Sequence, residues 1–354
     1  MEKIKVGVIG AGSISQFHFE SYKNNDNVDI VAVCDLNGER AREKAEMYGA
    51  SKHFTDYNDL LELDDVDAVS ICTWNNTHAE IAIASLNAGK HVLVEKPLCK
   101  TVEEAYKVEE AAKKNDGKII QVGFVRRHGT NVKVLKRFID AGDLGEIYYA
   151  KASNLRALGN PGGWFADKER SGGGPLIDLG VHVIDLSWYL MGKPKVKSVS
   201  GNTYNRLGNR SNVENKSFYQ AADYDPDKNS VEDLANAIIR FEGGASLIID
   251  VSFTLHAKSD KGELKVFGEK GGAEIDPKLH ISTEKHNTIL NVTPDIDGAS
   301  FDMVDGFQNE IDHFVASIKG ETNNIAPIQD GVEIMKILEA IYESSKTGKE
   351  IYFD

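Results

Sequence analysis

The stretch IKVGVIGAGSIS at residues 4–15 decides the fold of the first part of the chain. It begins with the apolar alternation of a strand and then turns through Gly10 and Gly12. A Gly-x-Gly turn between a strand and a helix predicts a sharp reversal at Gly10 and open space at Gly12, where a phosphate group can approach the backbone. The next helix would open with Ser13 and Ile14, whose backbone N–H groups face such an anion. The stretch therefore predicts a site for a nucleotide phosphate.

A carboxylate ends the second predicted strand. Asp35 lies 23 residues after Gly12, where a carboxylate accepts a hydrogen bond from the 2′-hydroxyl of a dinucleotide ribose. Its charge would repel a 2′-phosphate, and the next residue, Leu36, brings no compensating cation, so the sequence favours NAD over NADP. The alternative interpretation is that Asp35 only caps the turn before Asn37 and Gly38.

Short apolar runs alternate with helical stretches from this turn to residue 124. We expect strands at residues 3–9, 29–34, 66–72, 91–95 and 118–123. We expect helices at residues 13–23, 39–48, 78–88 and 102–115. Two of these helices show capping boxes, Thr77 with Glu80 and Thr101 with Glu104. The pattern predicts an α/β Rossmann domain over residues 1–124, with a doubly wound parallel sheet.

The pattern changes after residue 124. We expect helices at residues 132–141, 176–190, 307–318 and 332–345. Strand-like runs without intervening helices follow one another at residues 147–154, 196–204, 235–241, 246–254 and 263–268. We therefore predict a second, α+β domain over residues 125–354 with a large, mostly antiparallel open sheet. Its terminal helix, at about 330–346, could pack back on the Rossmann domain, and the polar residues 206–230 predict a surface loop.

Composition excludes some classes of partner. The chain has 41 Lys and Arg against 55 Asp and Glu, a net charge of −14, so neither nucleic acid nor an anionic membrane surface is an expected partner. No signal peptide pattern and no bilayer-spanning apolar run is visible. The cysteines, Cys34, Cys72 and Cys99, are odd in number and lack metal-ligand spacing, and the histidines show no metal-site pairing. We expect a cytoplasmic protein without disulfides or a bound metal.

Two segments carry candidate chemistry. Glu95-Lys96-Pro97 ends the fourth predicted strand, at the sheet edge where doubly wound folds bind ligands, and a lysine there can stabilise a hydroxyl as it becomes an alkoxide. In the apolar helix, Asp178 and His182 share one face with Asp185. His182 could be a general base for an alcohol proton, with Asp178 or Asp185 orienting its ring. The alternative is a set of satisfied hydrogen bonds within the helix.

Taken together, these residues resemble the glucose-fructose oxidoreductase / inositol dehydrogenase family, usually written Gfo/Idh/MocA. The resemblance covers nearly the whole chain. The motifs that carry it are the turn at residues 10–15, TWNNTH at 73–78, EKP at 95–97, QVGF at 121–124, Asp178-x-x-x-His182, VEDL at 231–234 and YESSKTG at 342–348. Trp74 stands where many relatives have proline.

The resemblance implies an NAD-binding Rossmann domain and a C-terminal sheet that often forms the subunit interface, and hence a homodimer or homotetramer. It also implies that Lys96, Asp178 and His182 are catalytic. The residues that it places along the cofactor are Thr73, Asn75, His78, Glu95 and Lys96.

Several polar and aromatic residues are candidates for recognising a substrate. They are Arg127, Asn154, Arg156, Trp164, Asp178, His182 and His256. This mixture of donors suits several hydroxyls better than an apolar ligand, so we expect a sugar or polyol. The leading function is transfer of hydride from a secondary alcohol to the nicotinamide ring. Two others stay open: a redox-neutral enzyme with tightly held NAD that acts by transient oxidation, and a non-catalytic dinucleotide-binding sensor.

Overall fold

The computed structural model describes residues 3–221, 223–225 and 227–353, and the chain divides into two compact units. The first unit runs to Val125 and includes Met303–Met335. The second comprises Arg126–Asp302 and the chain from Lys336 onward.

A parallel sheet forms the centre of the first unit. Its strands are β1 (Ile4–Ile9), β2 (Val28–Cys34), β3 (Lys52–Phe54), β4 (Ala68–Ile71), β5 (His91–Glu95) and β6 (Ile120–Gly123). They are ordered β3-β2-β1-β4-β5-β6 and all pair in parallel. This order places the carboxyl ends of β1 and β4 side by side, where such sheets bind ligands. The predicted Rossmann fold is confirmed, although the sequence did not predict β3.

Helices cover this sheet. They are α1 (Ser15–Lys23), α2 (Gly38–Tyr48), α3 (Tyr57–Leu61), α4 (Asn75–Asn87) and α5 (Val102–Lys114). A sixth helix comes from the later part of the chain and packs on α1, with the rings of Phe17 and Phe307 stacked 4.8 Å apart. Buried apolar side chains of β1, β2 and α1 form the core with residues of this sixth helix such as Ile311 and Phe314. Because burial of apolar area drives folding, these contacts fix α1 against the sheet.

One predicted capping box is correct and the other is wrong. Thr101 caps α5, since its hydroxyl accepts from the N–H of Glu104 at 3.2 Å, and the Glu104 carboxylate accepts from the N–H of Lys100. In contrast, α4 begins before Thr77, whose hydroxyl lies 2.7 Å from that of Thr73. Glu80 instead accepts from the Tyr57 hydroxyl, so the expected second box does not form.

A nine-stranded sheet forms the second unit. Its strands are β7 (Ile147–Leu155), β8 (Val196–Tyr204), β9 (Leu234–Phe241), β10 (Ser246–Ser252), β11 (Lys261–Gly268), β12 (Gly271–Asp276), β13 (His280–Lys285), β14 (Thr288–Val292) and β15 (Ile351–Tyr352). The order is β14-β13-β12-β11-β7-β10-β9-β8-β15. Only β7 and β10 pair in parallel within the described residues. The predicted mostly antiparallel sheet is confirmed, and β12 to β15 extend it beyond the strands predicted from the sequence.

The remaining helices follow the same chain order. They are α6 (Thr130–Asp140), α7 (Lys168–Ser171), α8 (Val181–Leu190), α9 (Met303–Ile318), which is the sixth helix of the first unit, and α10 (Ile328–Thr347), which has residues in both units. A π-helical turn, Leu176–Gly180, leads directly into α8. The predicted helix at residues 176–190 is therefore a π turn followed by an α-helix, and α8 packs on β7, β10 and β11.

The polar segment between β8 and β9 forms neither helix nor strand among its described residues. None of the helices within residues 3–221, 223–225 and 227–353 has the length and apolar character needed to cross a membrane.

Candidate active site

The glycine turn after β1 has the geometry that a dinucleotide needs. Gly10 has a φ of +91°, and a Cβ there would lie 2.6 Å from the carbonyl oxygen of Cys72, so only glycine fits. A Cβ at Gly12 would meet no protein atom within 4 Å. Ser15 stands where the dinucleotide-binding pattern Gly-x-Gly-x-x-Gly has its third glycine, and it donates its hydroxyl to the Gly12 carbonyl at 2.7 Å. Ile14, the residue before α1, makes no side-chain capping bond, so this open cradle fits a pyrophosphate.

Asp35 at the end of β2 braces this turn. Its Oδ2 accepts from the N–H of Ala11 at 2.8 Å, and its Oδ1 accepts from the N–H of Asn37 at 2.8 Å. The second bond is the one that the turn-cap alternative requires. Arg40 also places a guanidinium nitrogen 3.2 Å from Oδ1. Leu36 brings no cation, as expected, but the first turn of α2 does.

A chain of buried polar side chains leads to the backbone of Lys96. Glu95 is 5% exposed, with Oε1 2.8 Å from Nε2 of His18 and Oε2 accepting from the Lys96 N–H at 3.2 Å. Nδ1 of His18 lies 3.2 Å from the hydroxyl of Ser70, which is 2.7 Å from the hydroxyl of Tyr22. These contacts fix the point at which Lys96 leaves β5.

His78 supports the same turn from the other side. Its Nδ1 lies 2.8 Å from the carbonyl oxygen of Pro97 and its Nε2 lies 3.1 Å from that of Thr73. Burial lowers the pKa of His78 below its ordinary value, which favours the neutral ring. His78 thus connects the loop after β4 to the turn after Lys96. Asn75, the first residue of α4, is also buried, and the predicted cofactor contacts of both residues stay predictions.

The segment that carries Asp178 and His182 is buried almost throughout. Along residues 173–190, the side chains that are not buried are those of Asp178, His182 and Tyr189. Asp178 lies in the π turn, and His182 is the second residue of α8. Single π turns within helices are frequent at functional sites. Two ionisable side chains that reach the surface of an otherwise mostly buried segment are therefore the clearest sign of a reactive surface in this unit.

Asp185, the third ionisable residue of this helix face, has a different partner. Its carboxylate accepts two bonds from Arg127, one from Nε at 3.0 Å and one from Nη2 at 2.5 Å. Arg127 is 1% exposed, and its guanidinium carbon lies 4.7 Å from the centre of the Tyr189 ring. Arg127 is thus a buried support of α8 and offers no exposed donor to a substrate. Asp185, one of the two proposed partners of the His182 ring, is thus bound to this arginine.

The other substrate candidates lie near one edge of the sheet and in loops of the second unit. Asn154 is the penultimate residue of β7, opposite Val251 of the parallel strand β10. Arg156 follows β7 and His256 follows β10, so all three lie at the same edge of the sheet. His256 is exposed. Arg156 donates to the carbonyl of Gly159 at 3.2 Å. Trp164 is partly exposed, packs on Phe165 and donates its backbone N–H to Asp223.

Three residues with defined contacts were not among the predicted site residues. His18 had no local signal in the sequence, because its partners Ser70 and Glu95 lie 52 and 77 positions away. Arg40 could have been found, since it lies in the helical turn after Asp35. Glu232 contacts the π turn from 56 and 58 positions away, and residue spacing cannot show such a contact.

No group of three His, Cys, Asp or Glu side chains in the described part of the chain is arranged to hold a metal ion. The glycine turn, the uncapped start of α1 and the strand order instead define the first unit as a dinucleotide-binding domain.

Comparisons with known proteins agree with this class. Residues 4–124 match the family model described as "Oxidoreductase family, NAD-binding Rossmann fold", and residues 136–353 match its "C-terminal alpha/beta domain". The chain belongs to the Gfo/Idh/MocA oxidoreductase family, which confirms the resemblance drawn from the motifs and the predicted cofactor NAD.

Relatives align with nearly the whole chain. D-glucoside 3-dehydrogenase of Escherichia coli (strain K12) is 32% identical over 98% of this chain and 97% of its own length. The NAD-dependent scyllo-inositol 2-dehydrogenase of Bacillus subtilis (strain 168) is 29% identical over 99% and 97%. A solved structure of levoglucosan dehydrogenase with NADH and levoglucosan superposes with a TM-score of 0.84 over 99% of both chains at 23% identity, which shows the shared fold.

Proposed function

We propose that this protein oxidises a secondary hydroxyl of a sugar, glycoside or polyol and uses NAD as the hydride acceptor. The observation that carries the proposal is the partial exposure of Asp178 and His182 on a helix whose other side chains, apart from Tyr189, are buried. The relatives support the substrate class, since their names specify a glucoside and an inositol as substrates.

Each candidate catalytic residue has one role in this proposal. His182, as a neutral imidazole, takes the proton of the substrate hydroxyl. Asp178 orients the imidazole and stabilises its protonated form. Lys96 donates a hydrogen bond to the same oxygen and stabilises its developing negative charge. Bound NAD supplies the nicotinamide carbon that accepts the hydride.

The first unit provides the residues that would hold the cofactor. Gly10 and Gly12 leave room for the pyrophosphate, and the N–H groups of Ser13 and Ile14 face it. Asp35 accepts from the adenosine ribose, and its charge disfavours a 2′-phosphate. Along the nicotinamide side we propose contacts with Thr73, Asn75, His78, Glu95 and Lys96.

Substrate hydroxyls would be bound by donors from the second unit. Asn154, Arg156 and His256 lie at the same edge of the sheet. They can therefore donate hydrogen bonds to one ligand from the same side. Trp164 offers an aromatic surface for a sugar ring. Arg127 has no part in this set, because its guanidinium is buried against Asp185.

We also propose that the protein is a homodimer or homotetramer joined through the open sheet. One row across β9, β10, β7, β11 and β12 is partly or fully exposed and mixes apolar with charged groups. It comprises Ile238, Ile248, Lys151, Lys265 and Glu274. A self-complementary pairing of this row could bury the isoleucines and join unlike charges. A monomeric mass by light scattering would contradict this arrangement.

We propose a cytoplasmic location as well. Cys34, Cys72 and Cys99 are all buried and form no disulfide with one another, as expected in a reducing compartment.

The experiment that tests the function is a screen for NADH formation with inositols, free sugars, glycosides and nucleotide sugars. The expected result is NADH in equal amount to the oxidised product, with NAD preferred over NADP. Product formation without net NADH would contradict dehydrogenation and support a redox-neutral enzyme. Tight NAD binding with no product from any substrate would support a sensor.

A further inference from the structure

The π turn that carries Asp178 is held by a carboxylate from a distant part of the chain. Oε2 of Glu232 accepts from the N–H of Gly174 at 3.0 Å, and Oε1 accepts from the N–H of Leu176 at 3.1 Å. Between them lies Pro175, which has no N–H. Glu232 thus satisfies the backbone donors on both sides of the proline, where the segment itself has no side-chain cap.

Only one backbone hydrogen bond separates this carboxylate from Asp178. The carbonyl oxygen of Gly174 accepts from the N–H of Asp178 at 3.0 Å and from that of Ile177 at 3.1 Å. The N–H of Gly174 therefore binds Glu232, and its carbonyl oxygen binds the backbone N–H groups of Ile177 and Asp178. A shift of the Glu232 carboxylate would move Gly174, and with it the backbone of Asp178.

Tyr342 holds the carboxylate in turn. Its hydroxyl donates to Oε1 of Glu232 at 2.8 Å. Burial, together with the negative charge of Glu232, raises the pKa of Tyr342 well above its ordinary value, so the hydroxyl keeps its proton. Tyr342 lies on α10, and Glu232 precedes β9. The turn is thereby fixed to two separate parts of the second unit.

The two glycines at residues 173–174 allow this close approach. A Cβ at Gly173 would lie 1.9 Å from the hydroxyl oxygen of Tyr342, and a Cβ at Gly174 would lie 2.5 Å from the backbone oxygen of Glu232. Any larger residue would push the turn away from both side chains. The sequence of this segment is thus matched to Glu232 and Tyr342.

We propose that Glu232 and Tyr342 are positioning residues, which fix the π turn so that Asp178 and His182 meet the substrate in a reactive geometry. This inference rests on the proposed function. Glu232 and Tyr342 touch the backbone of the turn and each other, and they act on the reaction through Asp178.

The test compares Glu232→Gln, Tyr342→Phe and the double variant. Glutamine puts an NH2 group in place of one carboxylate oxygen, so one backbone N–H loses its acceptor. Glu232→Gln should lower kcat roughly 10- to 100-fold, because small misplacements of reacting groups have effects of this size. Tyr342→Phe removes the hydrogen bond to Oε1 of Glu232 and should lower kcat about 2- to 10-fold. The double variant should resemble Glu232→Gln, since both residues act through one carboxylate.

Further measurements separate positioning from general loss of structure. KM and Kd for NAD should stay near wild type, while the pH midpoint of kcat/KM shifts because Asp178 no longer faces His182 in the same way. Hydrogen exchange should become faster in peptides that cover residues 174–182 and should stay unchanged in the first unit.

The chain offers a matched control. Glu350 accepts from Ser198, Arg240 and the hydroxyl of Tyr352, which makes it a second carboxylate–tyrosine pair in the same unit. Glu350→Gln and Tyr352→Phe should leave kcat and the exchange of residues 174–182 unchanged.

The proposal is overturned if Glu232→Gln matches Glu350→Gln in either kcat or exchange. If Glu232→Gln does not fold, Tyr342→Phe decides, since it keeps both backbone contacts of the carboxylate; wild-type kcat and exchange in that variant would overturn the proposal. The exchange measurement needs no turnover. The two failures can thus be told apart. A wild-type protein that oxidises no substrate would contradict the proposed function, while unchanged exchange of residues 174–182 in Glu232→Gln would contradict the positioning role.

Discussion

The two units hold their candidate catalytic side chains in different ways. In the Rossmann unit, Lys96 follows the end of the interior strand β5, and the imidazoles of His18 and His78 fix the turn around it. In the second unit, Asp178 and His182 lie on a helix start that two acid groups support. The Glu232 carboxylate binds the backbone of the π turn. The second carboxylate, that of Asp185 on α8, pairs with Arg127.

This difference shows where each geometry comes from. A strand end is placed by sheet topology, so the position of Lys96 follows from the strand order, and the two imidazoles only refine it. The π turn is not part of a strand ladder. Its irregular backbone therefore needs other partners for its N–H groups. The second unit should therefore depend more strongly on individual buried side chains than the first.

The largest effect is expected for the buried ion pair of the second unit. Arg127→Met leaves Asp185 without its guanidinium partner and should lower the free energy of unfolding by about 3–5 kcal/mol. Chemical denaturation measures this. Arg126→Met is the matched control, because Arg126 also binds a carboxylate, Asp276, with two bonds of 2.7 Å, but nearer the surface. Equal losses in both variants would show that burial of the pair is not what stabilises α8.

A somewhat smaller effect is expected for Lys96→Met in the first unit. It should lower kcat about 100- to 1000-fold, because the ammonium group stabilises charge that grows toward the transition state. The melting temperature should hardly change, since strand β5 positions the backbone of this residue. The affinity for NAD should fall much less than kcat, because Lys96 is one of several proposed contacts along the nicotinamide. Lys114→Met, on an exposed part of α5, is the control. Turnover near the wild-type rate would remove Lys96 from the mechanism.

The smallest of these effects concerns the cofactor turn. Asp35→Ser should weaken NAD binding about 10- to 100-fold, since a charge-assisted hydrogen bond to the ribose is lost. NADP binding should improve, because Arg40 loses its carboxylate partner and can meet a 2′-phosphate. Titration of both cofactors measures the ratio, and Asp35→Ser with Arg40→Ala should lose the gain in NADP binding. An unchanged ratio would mean that Asp35 is only a turn residue.

Much of the fold could be predicted from the sequence, because its signals are local. Each signal lies within a few consecutive residues. This holds for the glycine turn at residues 10–12 and for the apolar runs that form β1, β2, β4, β5 and β6. Lys52–Phe54 and Tyr57–Leu61 were missed because three and five residues are too short to show a period. The predicted capping box at Thr77 was wrong because α4 begins at Asn75, two residues before the expected N-cap residue.

The candidate site was less accessible to sequence reasoning. The motifs indicated Lys96, Asp178 and His182, but residue type alone cannot separate a donor that faces a ligand from one that faces the core. Arg127 was misassigned for this reason, since its partner is 58 positions away. Glu232 and Tyr342, 110 positions apart, are visible as a pair only once the chain is folded.

The central claim is that His182 accepts the hydroxyl proton, and the pH dependence of kcat/KM for wild type and His182→Asn tests it most directly. The wild-type rate of alcohol oxidation should rise with pH to a plateau, because only the neutral imidazole can take the proton. His182→Asn should be slower by about 100-fold or more and should lose the ascending limb. His286→Asn, at an exposed residue of the same unit with a φ of 55°, should keep the wild-type profile, since asparagine tolerates that conformation. Full activity with the same inflection in His182→Asn would contradict the claim, and Lys96 would then be the first candidate for the base.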